Sequence, residues 1–259
     1  MGTLSPLRRL ILVVGGLLSL GVITMATLSL VDWMGRTSYE RDTVFATEGQ
    51  RLIVRNSGDI AVNASDDGRV HVHVRVQYGL YKPRLVEQST SDGVTLESNC
   101  RGWVGFNGCR VDYSVSVPPS FAVTVVASTG DVSATGLSGP VHLTTSAGDV
   151  QVSRMTGELR LRTSAGDVHG NELRSPQVDA RTSAGDVTLA FSTAPDRVAA
   201  QTSAGDVDIA VPRGDLYRVS AGSRAGSENV DSSLQSADST RSITVTTSAG
   251  DVTVRRTAA

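Results

Sequence analysis

Thr145-Ser146-Ala147-Gly148-Asp149-Val150 is repeated without change at Thr163–Val168, Thr182–Val187, Thr202–Val207 and Thr247–Val252. Degenerate relatives surround these five copies. Ser128-Thr129-Gly130-Asp131-Val132 precedes them, Asn56-Ser57-Gly58-Asp59-Ile60 lies upstream, and Arg224-Ala225-Gly226-Ser227 falls between the fourth and fifth. With Gly130, Gly148, Gly166, Gly185, Gly205, Gly226 and Gly250 as markers, the spacings are 18, 18, 19, 20, 21 and 24 residues. A near-constant period of this kind is the signature of a stacked repeat.

Outward from the hexapeptide, each unit has one grammar. Apolar residues stand seven and five positions before the marker glycine, as Val141/Leu143, Leu159/Leu161, Val178/Ala180, Val198/Ala200, Val219/Ala221 and Ile243/Val245. Val150/Val152, Val187/Leu189, Val207/Ile209 and Val252/Val254 follow it. This period of two marks strands with one buried face. Between them the glycine supplies the positive φ of a type II turn, and the aspartate accepts hydrogen bonds from nearby backbone N–H groups. Ser138-Gly139-Pro140, Thr156-Gly157, Ser175-Pro176, Ala194-Pro195 and Arg213-Gly214 mark a second corner, and residues 228–240 its longest version. A unit of 18–21 residues holds two or three short strands and two corners, whereas a propeller blade needs about 40–45. The predicted fold is therefore all-β, a single-stranded β-helix or β-solenoid. At about 4.8 Å per coil, six steps from Gly130 to Gly250 span about 29 Å.

Stacking turns the repeated acids into a ladder: Asp131, Asp149, Asp167, Asp186, Asp206, then Ser227, then Asp251. Carboxylates about 4.8 Å apart repel by about 0.9 kcal/mol in water. The ladder must therefore face solvent, be hydrogen-bonded in its turns, or bind cations, with Arg160, Arg162, Arg174 and Arg181 nearby to offset part of the charge. Calcium-binding repeats carry a denser Gly-Gly-x-Gly-x-Asp pattern. With one Gly-Asp per coil, turn formation is the expected role of Gly130/Asp131, Gly148/Asp149, Gly166/Asp167, Gly185/Asp186, Gly205/Asp206 and Gly250/Asp251. The threonine three before each glycine is expected to face inward rather than to build a flat ice-binding face. His71 and His73 share a strand face and are read as solvated rather than metal-ligating. Neither a Ser/His/acid set nor a paired-acid motif can be identified, and no cofactor is expected.

Upstream of the repeats, Arg8 and Arg9 precede 22 uncharged residues, Leu10–Val31, and Trp33 follows. About 20 apolar residues cross a bilayer as a helix, and basic residues on the near side hold that end in the cytoplasm. The expected organisation is a cytoplasmic 1–9, a transmembrane signal anchor 10–31 and a juxtamembrane linker 32–48. An extracytoplasmic β-solenoid at 49–256 follows, with an insertion at 79–119. Thr24-Met25-Ala26 leaves cleavage, and hence secretion, as the alternative. In an exported chain Cys100 and Cys109 form a disulfide closing a loop that presents Trp103 and Phe106, either as a plug or as a contact site. The net charge of −2, from 24 basic and 26 acidic residues, argues against a nucleic-acid partner. Aromatics at 4% suit a core of small stacked side chains.

Val115-Ser116-Val117-Pro118, Val123-Thr124-Val125 and the returning Gly-Asp-Val resemble a bacterial family of candidate adhesins built from β-strand repeats. The resemblance covers about residues 50–255. It implies a one-domain β-solenoid and a surface-interaction role, and offers no catalytic residues to carry over. The function expected is a non-enzymatic, adhesin-like envelope protein whose partners are the membrane and a surface protein or glycan. An envelope-stress sensor or scaffold for other membrane proteins is the alternative, and a carbohydrate-active β-helix enzyme the third reading.

Overall fold

The computed structural model describes residues 14–27, 37–46, 49–79, 82–100 and 109–257. Strands β1 to β7 cover Thr37–Phe45, Arg51–Asn56, Ile60–Ala64, Val70–Tyr78, Arg84–Thr90, Gly93–Asn99 and Arg110–Val117. Next come β8 (Ala122–Ala127), β9 (Val132–Thr135), β10 (Val141–Thr145), β11 (Val150–Ser153), β12 (Leu159–Arg162), β13 (Val168–Leu173) and β14 (Gln177–Arg181). Completing the set are β15 (Val187–Phe191), β16 (Arg197–Gln201), β17 (Val207–Val211), β18 (Arg218–Ser223), β19 (Glu228–Val230), β20 (Ser242–Thr247) and β21 (Val252–Arg256).

The larger of two compact units comprises Glu40–Arg75, Arg84–Asn99 and Val111–Ala259. Its strands form two sheets. Sheet A runs β1-β4-β7-β3-β9-β11-β13-β15-β17-β21-β19, and sheet B runs β18-β20-β16-β14-β12-β10-β8-β2-β6-β5. A coil contributes one strand to each sheet, and the coils stack in parallel register, Val141 on Leu159 and Val150 on Val168 for example. The expected β-solenoid is thus present. The inward valines, leucines and isoleucines are buried as the alternation requires, from Val141 and Leu159 at 0% to Val178 at 2% exposure. Sheet B supplies the small Ala180 and Ala200 beside Val178 and Val198, and the same coils supply the larger Leu189, Phe191 and Ile209 from sheet A; on the outermost coil Val219 and Ala221 are only half-buried.

Coil order in space departs from chain order at both ends. β20 pairs with β16 on one side and β18 on the other, and β21 lies between β17 and β19. The Gly250 coil therefore stacks directly on the Gly205 coil, and the Gly226 coil is outermost. At the opposite end β6 pairs with β2 and β7 with β3, outside the coil that precedes them in sequence. The expected insertion at 79–119 thus contains a full coil, plus β5, which pairs antiparallel with β6. Likewise the expected linker at 32–48 contains β1. Its charged outward residues are held by β4: Arg75 Nε donates to Glu40 at 2.7 Å, and His73 Nδ1 lies 2.7 Å from Asp42.

The smaller unit comprises Met1–Tyr39, Val76–Pro83 and Cys100–Arg110. The expected disulfide joins Cys100 to Cys109 with Cα atoms 5.8 Å apart. Tyr39 meets Tyr78 edge-on at 6.2 Å, and Lys82 Nζ stands 5.3 Å from the Tyr39 ring. Residues 14–27 are α-helical. No helix among the described residues is long and apolar enough to cross a membrane. The remainder of the expected span, 10–13 and 28–31, lies outside the described residues, as do Trp33, Trp103 and Phe106.

Candidate functional site

The repeated corner is an interlock between successive coils. Thr163 is buried, and its Oγ1 donates to the Gly148 carbonyl at 2.9 Å; Thr182, Thr202 and Thr247 repeat this with Gly166, Gly185 and Gly205. Ala147, Ala165, Ala184, Ala204 and Ala249 bridge one another in order. Gly166 has φ of +140°, and a Cβ there would stand 2.1 Å from the Gly148 carbonyl oxygen. Asp167 N–H donates to Asp149 Oδ1 at 2.8 Å. Every position of the hexapeptide that touches its counterpart is thereby constrained, which accounts for its fidelity. The expected type II turn is not what forms. A φ of +135° to +141° at Gly148, Gly166, Gly185 and Gly205 lies well beyond the +80° of that turn. The corner is a bend closed by inter-coil bonds instead of an i to i+3 bond.

The acidic ladder is longer than the repeats suggest, and its order differs. It runs Asp112, Asp59, Asp131, Asp149, Asp167, Asp186, Asp206, Asp251 and ends on Ser227, each Oδ1 accepting the next residue's N–H at 2.7–3.1 Å. A hydrogen bond to a charged acceptor contributes about 1.5–3 kcal/mol, more than the ~0.9 kcal/mol of repulsion per neighbour. Each hydrogen bond therefore offsets the repulsion between the two carboxylates that it links. At its end, the Ser227 N–H and hydroxyl hold the Asp251 carboxyl below the usual carboxylate range. Three of the four arginines expected to offset the ladder pair elsewhere. Arg160 pairs with Glu158 at 2.9 Å, Arg181 with Asp179 at 3.0 Å and Arg162 with Asp179 at 3.8 Å, all on the outer face of sheet B. They precede the corner on a different sheet from the ladder, which is why they point elsewhere.

Beside the ladder, the outer face of sheet A carries a cleft of about 460 Å³ lined by Asp59, Asp112, Asp131, His73, Arg75 and Gln151. The outward row of that face in spatial order is Ser114, Ala61, Ser133, Gln151, His169, Thr188, Asp208, Thr253 and Asn229. Asp208 is neutralised there by a two-point contact with Arg255 at 2.8 and 3.1 Å. His71 is engaged by Asp67, whose carboxyl it holds below its ordinary range, and His73 by Asp42. Among the described residues no group of three or more His, Cys, Asp or Glu side chains is placed to hold a metal ion. The arrangement is a long hydrogen-bonding face, suited to an extended polar ligand.

A two-sheet solenoid with one interlocked corner per coil and open polar faces defines a structural class. Residues 114–257 match the Toastrack DUF4097 family, and the chain belongs to it. Its fold is similar to that of a candidate cell adhesion protein from Clostridium sporogenes, at 12% identity and TM-score 0.43, over 85% of this chain and 100% of that one. A candidate adhesin from Bacteroides fragilis aligns at 14% identity and TM-score 0.44, over 85% and 97%. A candidate lipid binding protein from Parabacteroides distasonis aligns at 13% and 0.42, over 86% and 97%. Comparison with curated proteins returns no match.

Proposed function

We propose that this protein is a non-enzymatic interaction module of the cell envelope, tethered by the apolar segment 10–31 and displaying its solenoid outside the membrane. The observation that carries the reading is the sheet A face. Nine stacked coils among the described residues align a mainly polar outward row, Ala61 being its one apolar member, and stacked rows are how solenoids present extended binding surfaces. The disulfide supports an oxidising compartment. The helix at 14–27 supports the tether: Leu17, Leu18, Leu20, Val22, Ile23 and Met25 are all 59–68% exposed, and a helix apolar all round belongs in a core or a membrane.

Two measurements test this reading. Protease added to intact cells should cleave the solenoid and spare the N-terminus. Cells deleted for the protein should lose adhesion or aggregation, and regain it with the wild-type chain but not with Ser133, Gln151 and Thr188 all changed to Lys. A protected solenoid, or full adhesion in the deletion strain, would refute the proposal.

A further inference from the structure

The outer face of sheet B is unlike that of sheet A. In the register of β12 on β14, Arg162 lies directly opposite Arg181, and Arg160 opposite Asp179. Arg197 follows on β16 beside Gln177. Four guanidiniums, Arg160, Arg162, Arg181 and Arg197, face two carboxylates, Glu158 and Asp179, so the patch carries 4 − 2 = +2 in a chain whose net charge is −2. The single Asp179 is shared between Arg162 and Arg181. The Arg197 side chain makes no ion pair with any described residue. Arg160, Arg162 and Arg181 remain 48–51% exposed even so, although Arg160 Nη1 also lies 3.4 Å from His142 Nε2.

The fold does not require these charges. Equivalent outward positions elsewhere in the stack hold Thr144, Gln201 and Thr246. Like charges directly opposite on a sheet are destabilising. Between Arg160 and Arg197 a groove of about 260 Å³ runs over β12, β14 and β16, bordered also by Glu158, Gln177 and Asp179, with the small Ala199 leaving it open; Arg162 and Arg181 lie beside it, one step along their strands. Neighbouring strands place these cations roughly 5 Å apart, and alternate residues along a strand roughly 7 Å apart. A row of forked donors at that spacing matches a chain of anions better than a single one. Guanidinium forks favour phosphate, which they bind bidentately. None of the exposed large apolar side chains of the solenoid, Val44, Val126 and Leu216, lies in the patch, so nothing there would enter a bilayer.

We propose that the outer face of sheet B over β12, β14 and β16 binds a linear, phosphate-bearing polymer, with Arg160, Arg162, Arg181 and Arg197 as its contacts. This gives the interaction-module reading a ligand class. Because it is tested on purified protein, its failure leaves the adhesion and topology tests standing.

The probe is long-chain inorganic polyphosphate, titrated into the full-length protein at several salt concentrations. With three or four contacts, log K should fall with log salt at a slope of about −2 to −3. Changing Arg162 and Arg181 both to Gln should weaken binding about 10- to 30-fold near 0.1 M salt and flatten the slope by about 1.4. The charge-matched control, Arg84→Gln with Arg213→Gln, should stay within about twofold of wild type, with circular dichroism confirming the fold of both variants. Equal loss in the two variants, or no binding by wild type at low salt, would overturn the proposal. So would equal competition by monomeric phosphate at matched phosphate concentration. Tighter binding to phosphatidylglycerol vesicles, abolished by the same double change, would reassign the face to a bilayer and overturn the polymer.

Discussion

Replacing Gly166 by alanine separates two reasons for a glycine. At Gly68 the φ is +71° and a Cβ would meet nothing within 4 Å, so alanine there meets only the left-handed backbone cost of about 1–2 kcal/mol. Gly222 has neither a positive φ nor a near neighbour, and alanine should be neutral or stabilise by up to about 1 kcal/mol through the unfolded chain. Gly166 has both problems. Its φ of +140° strains any side chain, by about 1–3 kcal/mol, and the new Cβ would lie 2.1 Å from the Gly148 carbonyl oxygen. Opening the corner to relieve that clash loosens Thr163 on Gly148 (2.9 Å), Gly148 on Ala165 (2.9 Å) and Asp167 on Asp149 (2.8 Å). Losing two or three of these at about 1 kcal/mol each brings the total to about 3–6 kcal/mol. With an m-value of about 2 kcal/mol/M, the urea midpoint should drop by roughly 1.5–3 M for Gly166→Ala, by under ~1 M for Gly68→Ala and not at all for Gly222→Ala. If Gly166→Ala unfolds within about 0.3 M of Gly68→Ala, the inter-coil approach is not what demands glycine.

Three further outcomes are expected. Tyr217 is fully buried and its hydroxyl has no hydrogen-bond partner, with burial pushing its pKa up to about 12. Below pH 10 both states are protonated; between 10 and 12 the unfolded state loses its proton first, so stability should fall by on the order of 2–3 kcal/mol across that window. Tyr217→Phe should remove that dependence in alkaline melts and stabilise by about 1 kcal/mol at neutral pH; an unchanged alkaline slope would show that another group is responsible. Asp149→Ala strands the Asp167 N–H and should cost about 1–2 kcal/mol in thermal melts. Asp149→Asn keeps an acceptor and relieves two repulsions, so it should lie within about 1 kcal/mol of wild type; equal losses would contradict the ladder's bonding. Finally, a chain ending at Arg241 lacks β20 and β21, the only strand partners of β18 and β19 among the described residues. Residues 212–241 should then become sensitive to limited proteolysis, and continued protection would disprove the inserted arrangement.

The regular coils were legible because each imposes the same alternation on the same corner, as with Val141/Leu143 and Val150/Val152. The inward threonines were legible too, since a polar residue at a buried, fixed position needs a fixed acceptor. The stacking order was not, because period and alternation are identical whichever coil neighbours which. A signal for it does exist. Arg224-Ala225-Gly226-Ser227 is the copy without an aspartate, and Ser227 is the ladder's last residue, with no further N–H to bind. The copy lacking the acid is the one with no described strand stacked beyond it. Strand β1 was hidden by its composition: Tyr39, Arg41 and Thr43 alternate with charged residues whose partners lie on β4, not in a hydrophobic core. The arginine face was visible as residues but not as a cluster, because only the register of β12 on β14 sets Arg162 against Arg181.

The crossed order of the final coils also has a consequence in time. β18 and β19 emerge before β20 and β21, the strands they pair with in the finished fold. From Val230 to Arg256 is 26 residues, so at 5–20 residues per second the wait during synthesis is roughly 1–5 s. Throughout it the edges of β16 and β17 stand open as templates, and an unpaired edge accepts any strand offered to it. Ser242–Arg256 of a neighbouring chain fits that slot as well as the chain's own does, so crowding of nascent chains is the condition that favours interlinked pairs.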